Sequence, residues 1–405
     1  MTDGLSIGRR VAWYRRRRGM PQEVLADMVE RTVDWLSKVE NDRIQLDRLS
    51  VIARLAQALD VTVGDLVGEP SMSSPAAESD IRTVPALRDV LLDYGHLAPP
   101  PGIQPAAGPA SLDSLRRELA AVMDAYQASR YETTTARLPD LIRASHVAVE
   151  TSPDHDLPAA HAVLALSYQA AAAILTKLGE GDLAWIAAER GLTAARQSDS
   201  TIVMGSLFRS VAHTLLATGR LRHALRLTDE AAASLQPQLG TASPEYLSVY
   251  GMLFLSGAMA ASRLADAGTT RAFLQEAEES ARRLGRDANH LWTAFGPTNV
   301  AIHRAATAME LGDFQSAIQL SAGLDLSALP VERRVRHALD VARAYTARRH
   351  TDEAVAVVLG AERLAPEQVR YHAMSRQLVL HWLRQVRSRP GRHLAGLARR
   401  MRLVA

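Results

Sequence analysis

The chain is 405 residues long, more than one hydrophobic core usually serves, and 47% of it is apolar, so two or more folded parts are expected. Its 47 basic and 44 acidic side chains leave a net charge of only +3, which excludes bulk attraction as a source of affinity for nucleic acid. There is no cysteine, which excludes disulfides, thiol nucleophiles and cysteine-ligated zinc and suits a reducing compartment. Only Lys38 and Lys177 are lysines, so an arginine cluster carries less information here than in a chain of mixed composition. Residues 1–18 contain no apolar run of signal-peptide length. The most apolar stretch, residues 162–178, is interrupted by Ser167, Tyr168, Gln169 and Lys177 and reads as too short to span a bilayer. The expectation is a cytoplasmic protein with no membrane partner.

Residues 5–18 read as a first helix, with Ile7, Val11 and Tyr14 facing inward and arginines around the rest. Gly19 ends it, where the backbone needs positive φ. A second helix follows Pro21 over residues 22–29, and Thr32 caps a third over residues 32–40. Leu25, Val29, Leu36 and Val39 form a buried stripe, while Val33, Asp34, Ser37 and Lys38 fall on the outward face of the third helix. Asn41 and Asp42, which tolerate the left-handed conformation, close it. A fourth helix over residues 47–59 and a short fifth over residues 63–67 complete the unit. Two short helices joined by a tight turn are the pattern of a helix-turn-helix, whose second helix enters the major groove.

The register of Ile7-Gly8, Val11, Arg15, Gly19, Gln22, Leu25-Ala26, the run from Trp35 to Glu40, Ile52-Ala53 and Leu59 through Leu66 resembles the XRE or lambda-repressor-like helix-turn-helix family. The resemblance covers about residues 5–67. It implies that Gln22 touches phosphate, that Val33, Asp34 and Lys38 face base edges, and that Asn41 and Arg43 grip the backbone. Thr32, Trp35 and Ser37 complete the expected DNA-facing set, and an internal ion pair maps onto Arg15 and Glu40. Two positions depart from the family. The turn holds Glu30-Arg31 in place of a glycine and an apolar residue, and Asp34 points outward beside phosphates, where it can accept from cytosine N4. Residues 1–70 hold 11 basic and 11 acidic groups, so affinity depends on placement, and six of those 11 basic groups lie between Arg9 and Arg18.

Residues 70–110 are rich in proline and read as a linker, interrupted by a helix over residues 86–94 whose Leu87, Val90, Leu91 and Tyr94 can dock. From residue 111 the pattern is helical and repeats. The phrase from Leu216 through Gly219 to Ala224, followed by Ala231, has the small residues of a tetratricopeptide hairpin: a glycine closing one helix and an alanine where the next crosses it. It recurs at Gly179 with Ala184, at Gly312 with Ala317, and around Ala354. Weaker copies centre on Thr134 and Ala272. The steps between crossing positions, 50, 40, 48, 45 and 37 residues, all exceed the 34 of the standard repeat, so the hairpins are degenerate. The fold class expected is all-α: a five-helix head at residues 1–69, then a tetratricopeptide-like α-solenoid at residues 111–405 for dimerisation and ligand sensing. Arginines in residues 382–403 read as a polar cap on the last repeat.

No metal-ligand spacing, phosphate-binding loop, nucleophile elbow or dinucleotide fingerprint is present, so no enzyme, cofactor or metal site is expected. His155 between Asp154 and Asp156 is bracketed by prolines and reads as a solvated loop. Counting back from each closing position gives a candidate lining for the concave side: Arg116, Gln169, Lys177, Ser206, Arg209, His213, Asn299, Arg336 and Arg343. Amides and hydroxyls with several cations suit an extended peptide ending in a carboxylate. Together the halves resemble the peptide-responsive regulators of Gram-positive bacteria, which implies double-stranded DNA, a second copy of the chain and a peptide or small-molecule effector as partners. The alternative is a helical interaction scaffold whose head does not bind DNA.

Overall fold

The computed structural model describes residues 6–17, 20–44, 46, 49–59, 61, 66, 81, 83–93, 111–386 and 390–403, and every regular element among them is a helix. The chain divides into two compact units, Met1–Ala76 and Ala77–Ala405.

In the first unit α1 (Ile7–Arg17), α2 (Gln22–Met28), α3 (Val33–Glu40) and α4 (Leu49–Ala58) enclose Val11, Leu25, Leu36, Leu55 and Leu59, all fully buried. Burial of each leucine contributes roughly 1.5–3 kcal/mol. The N-terminal end of α1 meets the C-terminal end of α3 at Gly8, where a Cβ would stand 1.9 Å from the Val39 carbonyl oxygen. Only glycine permits that approach. The turn after α2 is made without one: Glu30 takes the left-handed conformation at φ 55°, a cost of about 1–2 kcal/mol. The Arg31 amide then donates to the Ala26 carbonyl at 2.9 Å, so the tight turn forms despite the departure in sequence. Thr32 caps α3 by accepting from the Trp35 amide at 3.2 Å, and Asp42, at φ 59°, rather than Asn41, is the left-handed residue after it. Of the fifth helix expected at 63–67 only Leu66, helical and buried, is among the described residues; Gly19 and Asp47 lie outside them.

The second unit begins with α5 (Val84–Leu92), whose Val84, Leu87, Val90 and Leu91 are buried in its largest core. The helix expected to interrupt a linker is therefore a packed part of this unit, because its apolar face closes against the helices Tyr131–Thr151 and Gly181–Arg196. Six hairpins follow. They are α6 (Leu112–Gln127) with α7 (Tyr131–Thr151), α8 (Leu157–Leu178) with α9 (Gly181–Arg196), and α10 (Thr201–Ala217) with α11 (Leu221–Leu235). The second three are α12 (Pro244–Arg263) with α13 (Ala267–Leu284), α14 (Pro297–Glu310) with α15 (Phe314–Ser321), and α16 (Val331–Ala347) with α17 (Thr351–Leu364). α18 (Pro366–Tyr371), α19 (Ala373–Gln385) and α20 (Arg392–Arg400) end the stack, with Arg400 on α20 bonded to Glu362 at 2.6 Å.

Each hairpin turns at one residue of positive φ: Ser129, Gly179, Gly219, Ala265, Gly312 and Arg349. Five positions later a small buried side chain lets the second helix cross the first: Thr134, Ala184, Ala224, Thr270, Ala317 and Ala354. Ala272, taken from sequence as the fourth crossing residue, is exposed, and Thr270 holds the position instead. A threonine serves because its hydroxyl is satisfied locally: Thr270 Oγ1 donates to the Asp266 carbonyl at 2.6 Å, as Thr134 Oγ1 does to Arg130 at 2.8 Å.

α8 is 22 residues long and apolar enough to cross a membrane by length and composition, contrary to the shorter stretch expected, and 67% of its apolar window is buried inside this unit. The stack curves until its end meets its start. Ser129 Oγ donates to Gln368 Oε1 at 2.6 Å, and the Tyr371 hydroxyl donates to Glu132 Oε1 at 2.9 Å.

Candidate functional site

Closing the stack brings polar side chains from α6, α8, α10, α14 and α16 to one interior cluster in the second unit. Lys177 Nζ lies 2.5 Å from Glu332 Oε1, joining α8 to α16. Arg336 Nε is 3.3 Å from Asp340 Oδ2, and Arg343 Nη1 is 2.9 Å from Glu310 Oε1. Burial alone would raise the Glu332 carboxyl, but Lys177 and Arg333 outweigh it and hold it at about 2. Burial lowers His303 to about 3, with Arg333 adding to the effect, and pushes His213 well below its ordinary value, with Arg209, Arg333 and Lys177 acting in the same direction. Both imidazoles are therefore neutral near pH 7, and His303 Nδ1 donates to the Asn299 carbonyl at 2.8 Å. Tyr126 and Tyr131 are pushed up, chiefly by burial.

The expected lining divides in two. Lys177, His213, Arg336 and Arg343 keep part of their surface open, and Arg209 retains 9%. Gln169, Ser206 and Asn299 are enclosed instead, because alanine-rich helices bring them together: Ser206 Oγ donates to Gln169 Oε1 at 2.7 Å. Arg116 points to solvent, 3.0 Å from Asp113. Glu332, Arg333 and His303, which the counting missed, stand among the interior group. Their one signal in sequence is helical spacing: Glu332 and Arg333 share a face of α16 with Arg336, Asp340 and Arg343.

The first unit presents a different surface. Its frame is Glu40, whose carboxylate accepts from Arg15 Nε at 2.6 Å, Arg15 Nη2 at 2.7 Å and Gln22 Nε2 at 2.7 Å. Arg15 Nη1 donates in turn to the Met20 carbonyl at 2.8 Å, so one buried pair ties α1, α2 and α3 together. The hydrogen bond to Glu40 raises Arg15 above its usual value against the opposing effect of burial. On that frame α3 exposes Thr32, Val33, Asp34 and Lys38, with Trp35 and Ser37 half-buried at the edge. Lys38 Nζ lies 2.6 Å from Asp34 Oδ2, an exposed i, i+4 ion pair. Arg31 covers the Trp35 ring at 5.6 Å. Past the helix, Asn41 Nδ2 donates to the Ser37 carbonyl at 2.8 Å, Arg43 is exposed, and Arg9 Nε reaches Asp42 at 3.2 Å. Gln22 and Asn41, both expected to contact phosphate, have their amides already engaged, by Glu40 and by the Ser37 carbonyl.

Residues 6–68 match the family model described as "Helix-turn-helix domain". The N-terminal unit is a helix-turn-helix domain. The match covers this helix-turn-helix domain alone, and no curated protein matches the chain. Among solved structures, that of Bacillus thuringiensis PlcR in complex with the peptide PapR7 and DNA is similar at 11% identity, covering 83% of this chain and 99% of that one, with a TM-score of 0.39. Within the helix-turn-helix domain the Arg15–Glu40 pair implied by the family resemblance forms, and Val33, Asp34 and Lys38 share one exposed face of α3.

Proposed function

We propose that this protein is a cytoplasmic, sequence-specific transcriptional regulator that binds double-stranded DNA as a homodimer and takes a peptide or small-molecule effector in its helical-repeat unit. The observation that carries the reading is the free face of α3, with Val33, Asp34 and Lys38 projecting from a helix whose angle is set by the buried Arg15–Glu40 pair. That face suits the major groove: Lys38 can donate to guanine O6 and N7 once released from Asp34, and Asp34 can accept from cytosine N4. The Thr32 end and the Asn41–Arg43 loop bracket it, where they can hold phosphates on either side. One head reads only a few base pairs, so useful specificity calls for two heads on successive turns of the duplex.

An effector acts only through unequal affinity for DNA-competent and incompetent arrangements. Lys177, Arg209, His213, Arg336 and Arg343 are the residues we assign to its contacts, with Gln169, Ser206 and Asn299 enclosed behind them. The test is a footprint of the full chain on the promoter region upstream of its own gene, repeated with Lys38→Ala and Asp34→Ala. Altered affinity or altered site preference in either variant supports the reading. Identical footprints from all three proteins would remove α3 as the reading element. Retention on duplex that does not weaken as salt rises would favour the adaptor instead, since phosphate contacts must be salt-dependent.

A further inference from the structure

The charges inside the second unit do not balance. Lys177 is spent on Glu332, Arg336 on Asp340, and Arg343 on Glu310. Arg209 and Arg333 have no ion-pair partner among the described residues, and the Nε atom of each is buried without a hydrogen bond. Arg209 is 91% buried, since 9% of its surface remains exposed. Glu332 is a carboxylate whose field reaches both, and it is already bound to Lys177. The nearby imidazoles of His213 and His303 are neutral and add no charge of either sign.

Burying a guanidinium without a partner is expensive, and the half-buried guanidinium of Arg333 nearby adds to that cost at Arg209 by charge repulsion. Arg209 is brought down to about 10, by burial first and by Arg333 next. Folding gains nothing from such an arrangement. A bound oxyanion would reverse the balance, since the planar fork of each arginine matches two oxygens of a carboxylate or phosphate.

We propose that Arg209 and Arg333 form an anion site in the interior of the repeat unit, and that its occupant is the carboxylate or phosphate group of the effector. The inference rests on the reading of this unit as effector-binding, and it narrows that effector to a molecule carrying an oxyanion. It excludes a purely cationic or neutral one.

The experiment is thermal denaturation of the full chain at constant ionic strength in inorganic phosphate, acetate or chloride. Phosphate or acetate should raise the melting temperature saturably over chloride, and whichever acts at lower concentration tells a phosphate ester from a carboxylate. Arg209→Met should melt higher than the parent in chloride, because an uncompensated buried charge is gone, and should lose the anion-dependent rise. Arg209→Lys, which keeps the charge and loses the fork, should need at least about tenfold more anion, a loss of about 1.4 kcal/mol. No anion-specific rise in the parent, or a rise unchanged in Arg209→Met, overturns the proposal. So does an Arg209→Met protein that melts lower, the behaviour of an arginine kept for packing. Retention of the parent on duplex, measured in the same samples, separates the two claims. Retention without an anion response leaves DNA binding standing and removes the anion site, and an anion response without retention does the opposite.

Discussion

Arg15 in the helix-turn-helix domain and Arg209 in the repeat unit are buried to the same degree, at 8% and 9% exposure, and their surroundings differ completely. Arg15 has a carboxylate at 2.6 Å, a second bond to the same group and a backbone carbonyl, and its guanidinium is raised above its usual value. Arg209 has another arginine for a neighbour and is lowered. A buried charge with every bond satisfied fixes the angle between helices. A buried charge left over after its neighbours have paired is costly to the fold, and on the proposal above that contrast separates scaffold from site.

The contrast breaks most sharply at Glu40. Replacing Glu40 by alanine strands Arg15 among α1, α2 and α3 and should destabilise the domain by about 4 kcal/mol. Amide hydrogen exchange of α1–α3 would rise together, with α8 and α16 unchanged. Equal protection in the variant would mean that the pair does not hold the domain. Lys177 and Glu332 form a pair of the same kind in the repeat unit. Lys177→Met leaves Glu332 buried without its partner and should cost about 3 kcal/mol, less because Arg333 still acts on Glu332. Here exchange should rise in α8 and α16 while the domain keeps its protection.

Those two pairs differ in how far sequence reveals them. Arg15 and Glu40 are 25 residues apart within a register of matched positions, so the pair was legible, as were the Thr32 cap and the outward face of α3. Glu30 read as a departure because a glycine was expected; a glutamate can take the same φ at a cost no pattern shows. In the repeats, Gly179, Gly219 and Gly312 marked the hairpins, whereas Ser129, Ala265 and Arg349 adopt the same conformation and are silent in sequence. The pairing of Lys177 with Glu332, 155 positions apart, depends on the curvature of the whole stack. So does the enclosure of Gln169, Ser206 and Asn299. Curvature accumulates from small rotations between neighbours, and local spacing carries no record of it.

A third test uses pH, because all 13 histidines follow residue 76 and none lies in the helix-turn-helix domain. A histidine depressed by folding takes up a proton in the unfolded chain first. Its contribution is intact above about pH 6.5 and is lost progressively as pH falls toward the folded value. For His303, at about 3, the loss at pH 5 is about 2 kcal/mol. His213 and His372 act in the same direction, both lowered chiefly by burial. The repeat unit should therefore soften between pH 6.5 and 5 while the domain does not, and His303→Gln should flatten that slope. A decline shared equally by both units would place the titration elsewhere.

The smallest expected change in stability comes from the reading face, and there function and folding should separate. Asp34 and Lys38 form an exposed i, i+4 pair, 74% and 47% open to solvent, so screening leaves Asp34→Ala within about 0.5 kcal/mol of the parent in stability. Its effect on DNA should be far larger in kind. Removing the carboxylate frees the Lys38 ammonium and takes one negative charge from a surface that must approach phosphates. Nonspecific retention should strengthen, and the slope of log affinity against log salt should steepen by up to about 1. Discrimination at the base pair that Asp34 reads through cytosine N4 should weaken at the same time. Stronger but less selective binding, with melting unchanged, is the signature of a side chain kept for reading; equal affinity, selectivity and salt slope would make Asp34 an ordinary surface carboxylate.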